Sequence, residues 1–271
     1  MGMNTIIDLF AGAGGLSEGF TQAGFDVIGH VEMDRHAANT LRTRMIYYEL
    51  KKNGNLDAYK DYVSGNISRD ELVKKYDLQH CIDSVICEKI GDNYESIIND
   101  LKYITKGQSV DIIIGGPPCQ AYSNIGRARD SHGMRNDDRN FLYKYYVEFL
   151  KAFKPKLFVF ENVPGLISAG GGKYLKDMRE LMKKIGYETD FRILNAANYG
   201  VPQNRKRVIL IGWLNDVAVD SYPEPIEVSR DYVVGDIFAD LPELQMGGGE
   251  EVVTRLGKYA ARTNRHQHRR V

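Results

Sequence analysis

The sequence predicts a doubly wound α/β sheet, and three observations carry that prediction. The chain opens with a strand, a glycine turn, a helix and a second strand in immediate succession. Two largely apolar runs, at 110–114 (broken only by Asp111) and 157–160, read as parallel strands covered on both faces. Two further runs, at 191–194 and 208–211, flank a short loop with Gly200 and Pro202 and suit an antiparallel pair, which makes the sheet mixed.

Taken in order, residues 5–9 (TIIDL) form the first strand, which carries Asp8 near its end. Residues 11–15 are a glycine-rich turn, and residues 16–23 are the helix it opens. The second strand, residues 26–31, ends at Glu32. From Arg35 to Asp83 the composition shifts to Lys, Tyr, Asp and Asn, a pattern of helices with loops at 53–55 and 64–66. Ser68 with Glu71 forms a capping box that opens a helix through Lys75. The stretch at about 41–83 is therefore expected to be a helical insertion on the sheet edge, without chemistry of its own. Past Trp213 the strand pattern stops, and Pro223, Pro225, Pro242 and the glycines at 247–249 punctuate the chain.

Composition narrows the class. Hydrophobic residues at 43% and charged residues at 27% suit a soluble globular protein. Lys plus Arg and Asp plus Glu stand at 36 each, so bulk charge indicates no nucleic-acid partner. After Glu251 only basic charges follow, among them Arg255, Lys258 and Arg262, a run equally consistent with phosphate contact and with a solvated terminus. No stretch is apolar and long enough to span a membrane, and no signal segment opens the chain. The three cysteines, Cys81, Cys87 and Cys119, cannot pair completely and lack metal spacing. Free thiols fit a reducing, cytoplasmic setting with no metal and no membrane partner.

Four segments carry candidate chemistry. In DLFAGAGGLS, at 8–17, glycines let the backbone approach a ligand and the following helix N-terminus favours a negative group. The spacing is not that of a nicotinamide-dinucleotide turn. Glu32 stands where a nucleoside ribose would present its hydroxyls, although a strand-end acid without a ligand reads the same way. GGPPCQAYS, at 115–123, follows the strand at 110–114 and presents Cys119 at its carboxyl end, where ligand crevices of open sheets lie. In FENV, at 160–163, Glu161 leaves an apolar strand and is a candidate proton donor, or else a structural acid satisfied by backbone amides. In QNRKRV, at 203–208, strand alternation puts Arg205 and Arg207 on one face, suited to holding a carboxylate or phosphate.

These four segments, in this order, resemble the cytosine-C5 DNA methyltransferase family of bacterial restriction–modification type, over roughly residues 4–214. The resemblance implies a class I S-adenosylmethionine-dependent methyltransferase (Rossmann-like) mixed sheet with helices on both faces. It places Phe10, Ala11, Gly12, Gly14, Gly15, Leu16 and Glu32 around S-adenosylmethionine, with Gly116, Pro118 and Leu142 near the same pocket. Met33 falls at the adenine-stacking position, where a large aromatic is frequent. An Asp usually reaches the adenine amino group from the third strand; residues 85–90 occupy that place here, so Glu88 and Ile90 stand in. The resemblance makes Cys119 the nucleophile that adds to cytosine C6 and Glu161 the group that relieves charge on the ring. Arg205 holds the base and Glu161, with Arg207, Asn162 and Gln120 in support. A cytosine stacked in duplex DNA hides C6, so the base must be flipped out. Residues 122–139 resemble the loop that closes over it, with Gln120, Ser123, Arg127, Arg129 and Arg139 facing DNA.

The expected organisation is a catalytic domain at 1–214 and, at 215–271, a connector that begins a target-recognition region. The family normally continues with that region and two further motifs, which nothing here matches. Two readings compete with the DNA methyltransferase one. The chain is a non-catalytic or split-enzyme subunit that needs a second chain or segment, or it belongs to the related RNA cytosine-C5 branch. Gln120 and Ala121 after Cys119 argue against the RNA branch.

Overall fold

The computed structural model describes residues 4–118, 141–217, 221–228 and 233–238. They divide into two compact units, one of residues 1–194 and 206–224 and one of residues 195–205 and 225–271.

The first unit is built on a seven-stranded sheet. Its strands are β1 (Thr5–Leu9), β2 (Asp26–Val31), β3 (Val85–Ile86), β4 (Ile112–Gly115), β5 (Leu157–Asn162), β6 (Tyr187–Asn195) and β7 (Lys206–Leu214), in the order β3-β2-β1-β4-β5-β7-β6. Parallel pairing joins β3 to β2, β2 to β1, β1 to β4 and β4 to β5. The strand order reverses between β1 and β4, and crevices at the carboxyl ends of such strands are where ligands bind. β7 pairs antiparallel with β5 and so stands between β5 and β6. The sequence pattern located both closing strands but not this insertion, because pairing partners are set by packing and not by local periodicity. β5 also runs two residues past the expected 157–160 and carries Glu161 and Asn162 within the ladder. β3 is shorter than the run at 85–90, since the backbone leaves the ladder after Ile86.

Helices cover both faces. On one, α6 (Tyr94–Ile104), α7 (Leu142–Phe153) and α8 (Lys173–Lys184) pack on Ile7, Leu9, Ile113, Phe158 and Phe160. On the other, α1 (Gly15–Gln22) lays Leu16 and Phe20 over Ile6, Val27, Ile112 and Ile114. Each fully buried aliphatic or aromatic side chain contributes roughly 1.5–3 kcal/mol. Tyr146 of α7 ties helix to sheet, its hydroxyl donating to the carbonyls of Ile113 (3.1 Å) and Val159 (3.3 Å).

Between β2 and β3 the chain forms α2 (Arg35–Lys52), α3 (Leu56–Val63), α4 (Arg69–Lys75) and α5 (Gln79–Asp83). The group has its own small core of Ile46, Leu50, Leu72, Val73 and Leu78. The Ser68–Glu71 capping box is present, with both of its reciprocal bonds made. In the second unit, Tyr199 and Val228 make an isolated parallel bridge, Asn198 Nδ2 donates to Glu227 (2.8 Å), and Val234–Phe238 is a short helix. Among the described residues no helix is long and apolar enough to cross a membrane.

Candidate functional site

At the carboxyl end of β1 the chain turns through Phe10 and Gly12, each with φ 57°, and Gly14, with φ 85°. Gly14 is required twice over: its left-handed backbone disfavours a side chain, and a Cβ there would stand 2.8 Å from Leu41 Cδ2. At Gly12 and Gly15 a Cβ would meet nothing within 4 Å, so the turn is open on its outer side.

Glu32 fixes this turn. Its side chain is 9% exposed; Oε2 accepts from the Gly12 N–H at 2.8 Å and Oε1 from the Asp34 N–H at 2.7 Å. Asp34 in turn caps α2 by accepting from the Ala37 N–H at 2.8 Å. One carboxylate thus joins the ends of β1 and β2, with lone pairs left for a ligand's hydroxyls. Met33 beside it is 59% exposed, and its thioether can cover a ring face. Phe10 is half-buried against the main core, and Leu16 turns down onto the opposite sheet face. Ala11, Ile90 and Leu142 are buried core residues. Glu88 is exposed, with one oxygen accepting from Asn93 Nδ2 at 2.9 Å.

Beneath the turn lies a residue that the sequence reading gave no role. Asp8 is 1% exposed, and neither of its oxygens closes a hydrogen bond among the described residues. Burial pushes its carboxyl up to about 7; the nearby Ser17 hydroxyl and amide, which fall short of closed hydrogen bonds, oppose that push and the Glu32 carboxylate adds to it. His30, its neighbour in register on β2, is also buried, has an unpartnered Nδ1, and is pushed down to about 4 by burial. The available signal was an acid inside the apolar run TIIDL. An orphaned buried carboxylate beneath an open glycine turn, with a second carboxylate beside it, fits a nucleoside that carries positive charge.

The second half of the site lies at the ends of β4 and β5. Glu161 Oε1 and Arg207 Nε stand 2.7 Å apart, with side chains 27% and 23% exposed. Glu161 is opposite Ile209 in the ladder, so Arg207, two residues away on β7, reaches it along the same sheet face. Gly116 lies directly against this pair, since a Cβ there would stand 2.9 Å from Glu161 Oε2. The buried Asn162 donates from Nδ2 to the Pro117 carbonyl (3.2 Å) and accepts from the Val163 N–H (2.9 Å). Asn162 therefore holds the proline loop that leads through Pro118 to Cys119. Gly116, grouped by sequence with the cofactor residues, meets Glu161.

β7 begins at Lys206, so Arg205 stands just before the strand; its carbonyl accepts from the Ala196 N–H (3.0 Å) within the second unit. Cys119, Gln120, Ser123, Arg127, Arg129 and Arg139, together with the loop at 122–139, lie outside the described residues. Among the described residues there is no cluster of metal-ligating side chains.

A model of the C-5 cytosine-specific DNA methylase family matches residues 4–67 and 59–268. Type II methyltransferase M.Bpa9945I of Bacillus paralicheniformis is 37% identical over 94% of this chain and 64% of its own length. Type II methyltransferase M.XorII of Xanthomonas oryzae is 37% identical over 88% of this chain and 46% of its own. The chain thus spans less than two thirds of the length of these relatives. Among solved structures, a protein described as a DNA modification methyltransferase encoded within an E. coli prophage superposes with a TM-score of 0.61 at 27% identity. That superposition covers 89% of this chain and 56% of the other. The sheet order and these likenesses are those of the class I, Rossmann-like S-adenosylmethionine-dependent methyltransferase fold.

Proposed function

The chain belongs to the C-5 cytosine-specific DNA methylase family, and from that premise we propose that it carries the catalytic half of a DNA (cytosine-5-)-methyltransferase. The substrate is a cytosine flipped out of duplex DNA, and the setting is cytoplasmic restriction–modification. The observation that carries the reading is the Glu161–Arg207 pair at 2.7 Å, set against Gly116, three residues before Cys119 in the sequence.

S-adenosylmethionine, when bound, supplies an electrophilic methyl group and leaves as S-adenosylhomocysteine. Glu32 and the glycine turn bind its ribose, Met33 covers the adenine, and Asp8 and Glu32 balance its positive charge. Cytosine C5 is too weak a nucleophile by itself. Addition of the Cys119 thiolate to C6 makes C5 enamine-like. Glu161 holds a proton at cytosine N3 and relieves the negative charge that develops on the ring. Arg207 keeps the Glu161 carboxyl in place, and Asn162 keeps the Pro117–Pro118 loop aimed. A base then takes the C5 proton and Cys119 departs. In this reading Arg205 steadies the base, while Gln120, Ser123, Arg127, Arg129 and Arg139 meet the DNA.

A covalent trap tests it. Duplex DNA of mixed sequence carrying 5-fluorocytosine, incubated with the chain and S-adenosylmethionine, is expected to give a denaturation-resistant adduct that Cys119→Ser abolishes. An adduct surviving that substitution removes Cys119 as nucleophile. An adduct that appears only after a downstream segment is added supports the split-enzyme alternative.

A further inference from the structure

The helical stretch before β3 carries none of the four chemical segments. The fold, however, gathers aromatic and basic side chains there into a cleft of 560 Å³ between α1 and helices α2–α4. That volume lies within the range of small-ligand sites, roughly 300–1,000 Å³. None of its lining residues belongs to the glycine turn or to the Glu161–Arg207 pair, although Glu18 and Arg44 adjoin Gly14 from the cleft side.

Its walls are set in advance. Glu18 of α1 is bound by Arg44 and by the Tyr48 hydroxyl, the latter at 2.5 Å. Glu18 is the one acid among the described residues lining the cleft, and Arg44 neutralises it. Tyr47, Tyr59 and Tyr62 follow one another with centroid separations of 5.0 and 6.1 Å. Their interplanar angles of 66° and 52° are edge-on and tilted, and Tyr59 and Tyr62 are half-buried, with one side packed on the small helical core. No hydroxyl of these three donates or accepts a hydrogen bond among the described residues. Lys51 stands 5.9 Å from the Tyr47 ring centre. Asn39 gives its amide oxygen to Arg42 and Arg69, at 3.3 and 3.5 Å, which leaves its N–H groups for a ligand.

Stackable phenol rings, unpaired hydroxyl and amide groups and flanking cations are what a base with its phosphate recognises. Duplex DNA presents its bases stacked and cannot use the ring faces. We propose that this cleft binds a nucleotide unit of unstacked nucleic acid or free nucleotide, with the base on the Tyr59–Tyr62 wall and the phosphate at Arg69. The site is additional to the methyl-transfer crevice and does not depend on that reading.

The test uses the full chain and a fluorescent twelve-residue oligothymidylate, followed by anisotropy over a salt series. Tyr62→Leu is expected to weaken binding about tenfold, within what loss of one base stack costs, while Tyr62→Phe stays within about threefold. Arg69→Ala is expected to lower the slope of log affinity against log salt by about 0.7, the value for one phosphate on a single strand. Thymidine monophosphate competing as well as the oligomer identifies a free nucleotide as the source; competition by the oligomer alone identifies a strand. Both cleft variants keep duplex binding and the fluorocytosine adduct, so failure of the methyl-transfer reading is seen separately. Wild-type binding in Arg69→Ala and Tyr62→Leu, or a 5-iododeoxyuridine crosslink outside α2–α4, overturns the proposal.

Discussion

The carboxyl ends of β1–β2 and of β4–β5 adjoin on one edge of the sheet and are built on opposite principles. At β1–β2, backbone N–H groups of Gly12 and Asp34 converge on one buried carboxylate, and the shape depends on left-handed backbone at Gly12 and Gly14. At β4–β5 the groups are held by other side chains: Glu161 by Arg207, and the Pro117 carbonyl by Asn162. Backbone sites are stiff and fail by distortion of the chain. Side-chain sites fail by misplacement while the fold survives. The difference suits their proposed tasks, since a cofactor cradle needs a fixed shape, whereas a carboxyl that handles a proton needs a partner to aim it.

Substitutions can break or sharpen that contrast. The largest effect is expected for Gly14→Ala. A methyl group 2.8 Å from the buried Leu41, on backbone at φ 85°, should cost about 3 kcal/mol of stability and weaken S-adenosylmethionine binding in parallel. Urea unfolding and cofactor titration read the two together; a wild-type denaturation midpoint would show that the turn is adaptable.

Gly116→Ala should show the opposite signature. Its new Cβ meets the far end of the Glu161 side chain most closely, at 2.9 Å from Oε2, and the Glu161 carbonyl oxygen only at 3.3 Å; the carboxyl can swing aside, so the stability cost should stay near about 1 kcal/mol. The displaced carboxyl should lower methyl transfer about a hundredfold with little change in cofactor affinity. Equal losses of stability in both glycine variants would erase the distinction between the halves.

The smallest effect concerns Asp8 and pH. Burial pushes its carboxyl from the ordinary 3.8 up to about 7 in the folded state, which therefore binds more protons between those limits and loses relative stability as pH rises through them. His30, lowered to about 4 from 6.5, contributes the reverse slope over most of the same range. The two nearly cancel in the wild type. Asp8→Asn leaves the His30 slope alone, so without cofactor the variant should gain on the wild type by about 1–2 kcal/mol from about pH 5.5 to 7, a change that the constant cost of an unpaired amide does not alter. Urea midpoints at those two pH values measure it, and a constant difference would mean that Asp8 is ionised throughout.

The sequence by itself determined the strand–turn–helix start, the buried runs and the four chemical segments. Each is a local property: apolar periodicity, glycine where backbone turns left, and functional residues beside strand ends. The same locality explains the role of Glu32, which follows directly from the end of β2. Tertiary structure alone decided what depends on distant pairing. Insertion of β7 between β5 and β6 brings Arg207 to Glu161, 46 positions apart in the sequence and 2.7 Å apart in space. The orphaned carboxylate of Asp8 and the tyrosine cleft are equally invisible locally, because desolvation and side-chain clustering are set by everything that packs around a residue, not by its neighbours along the chain.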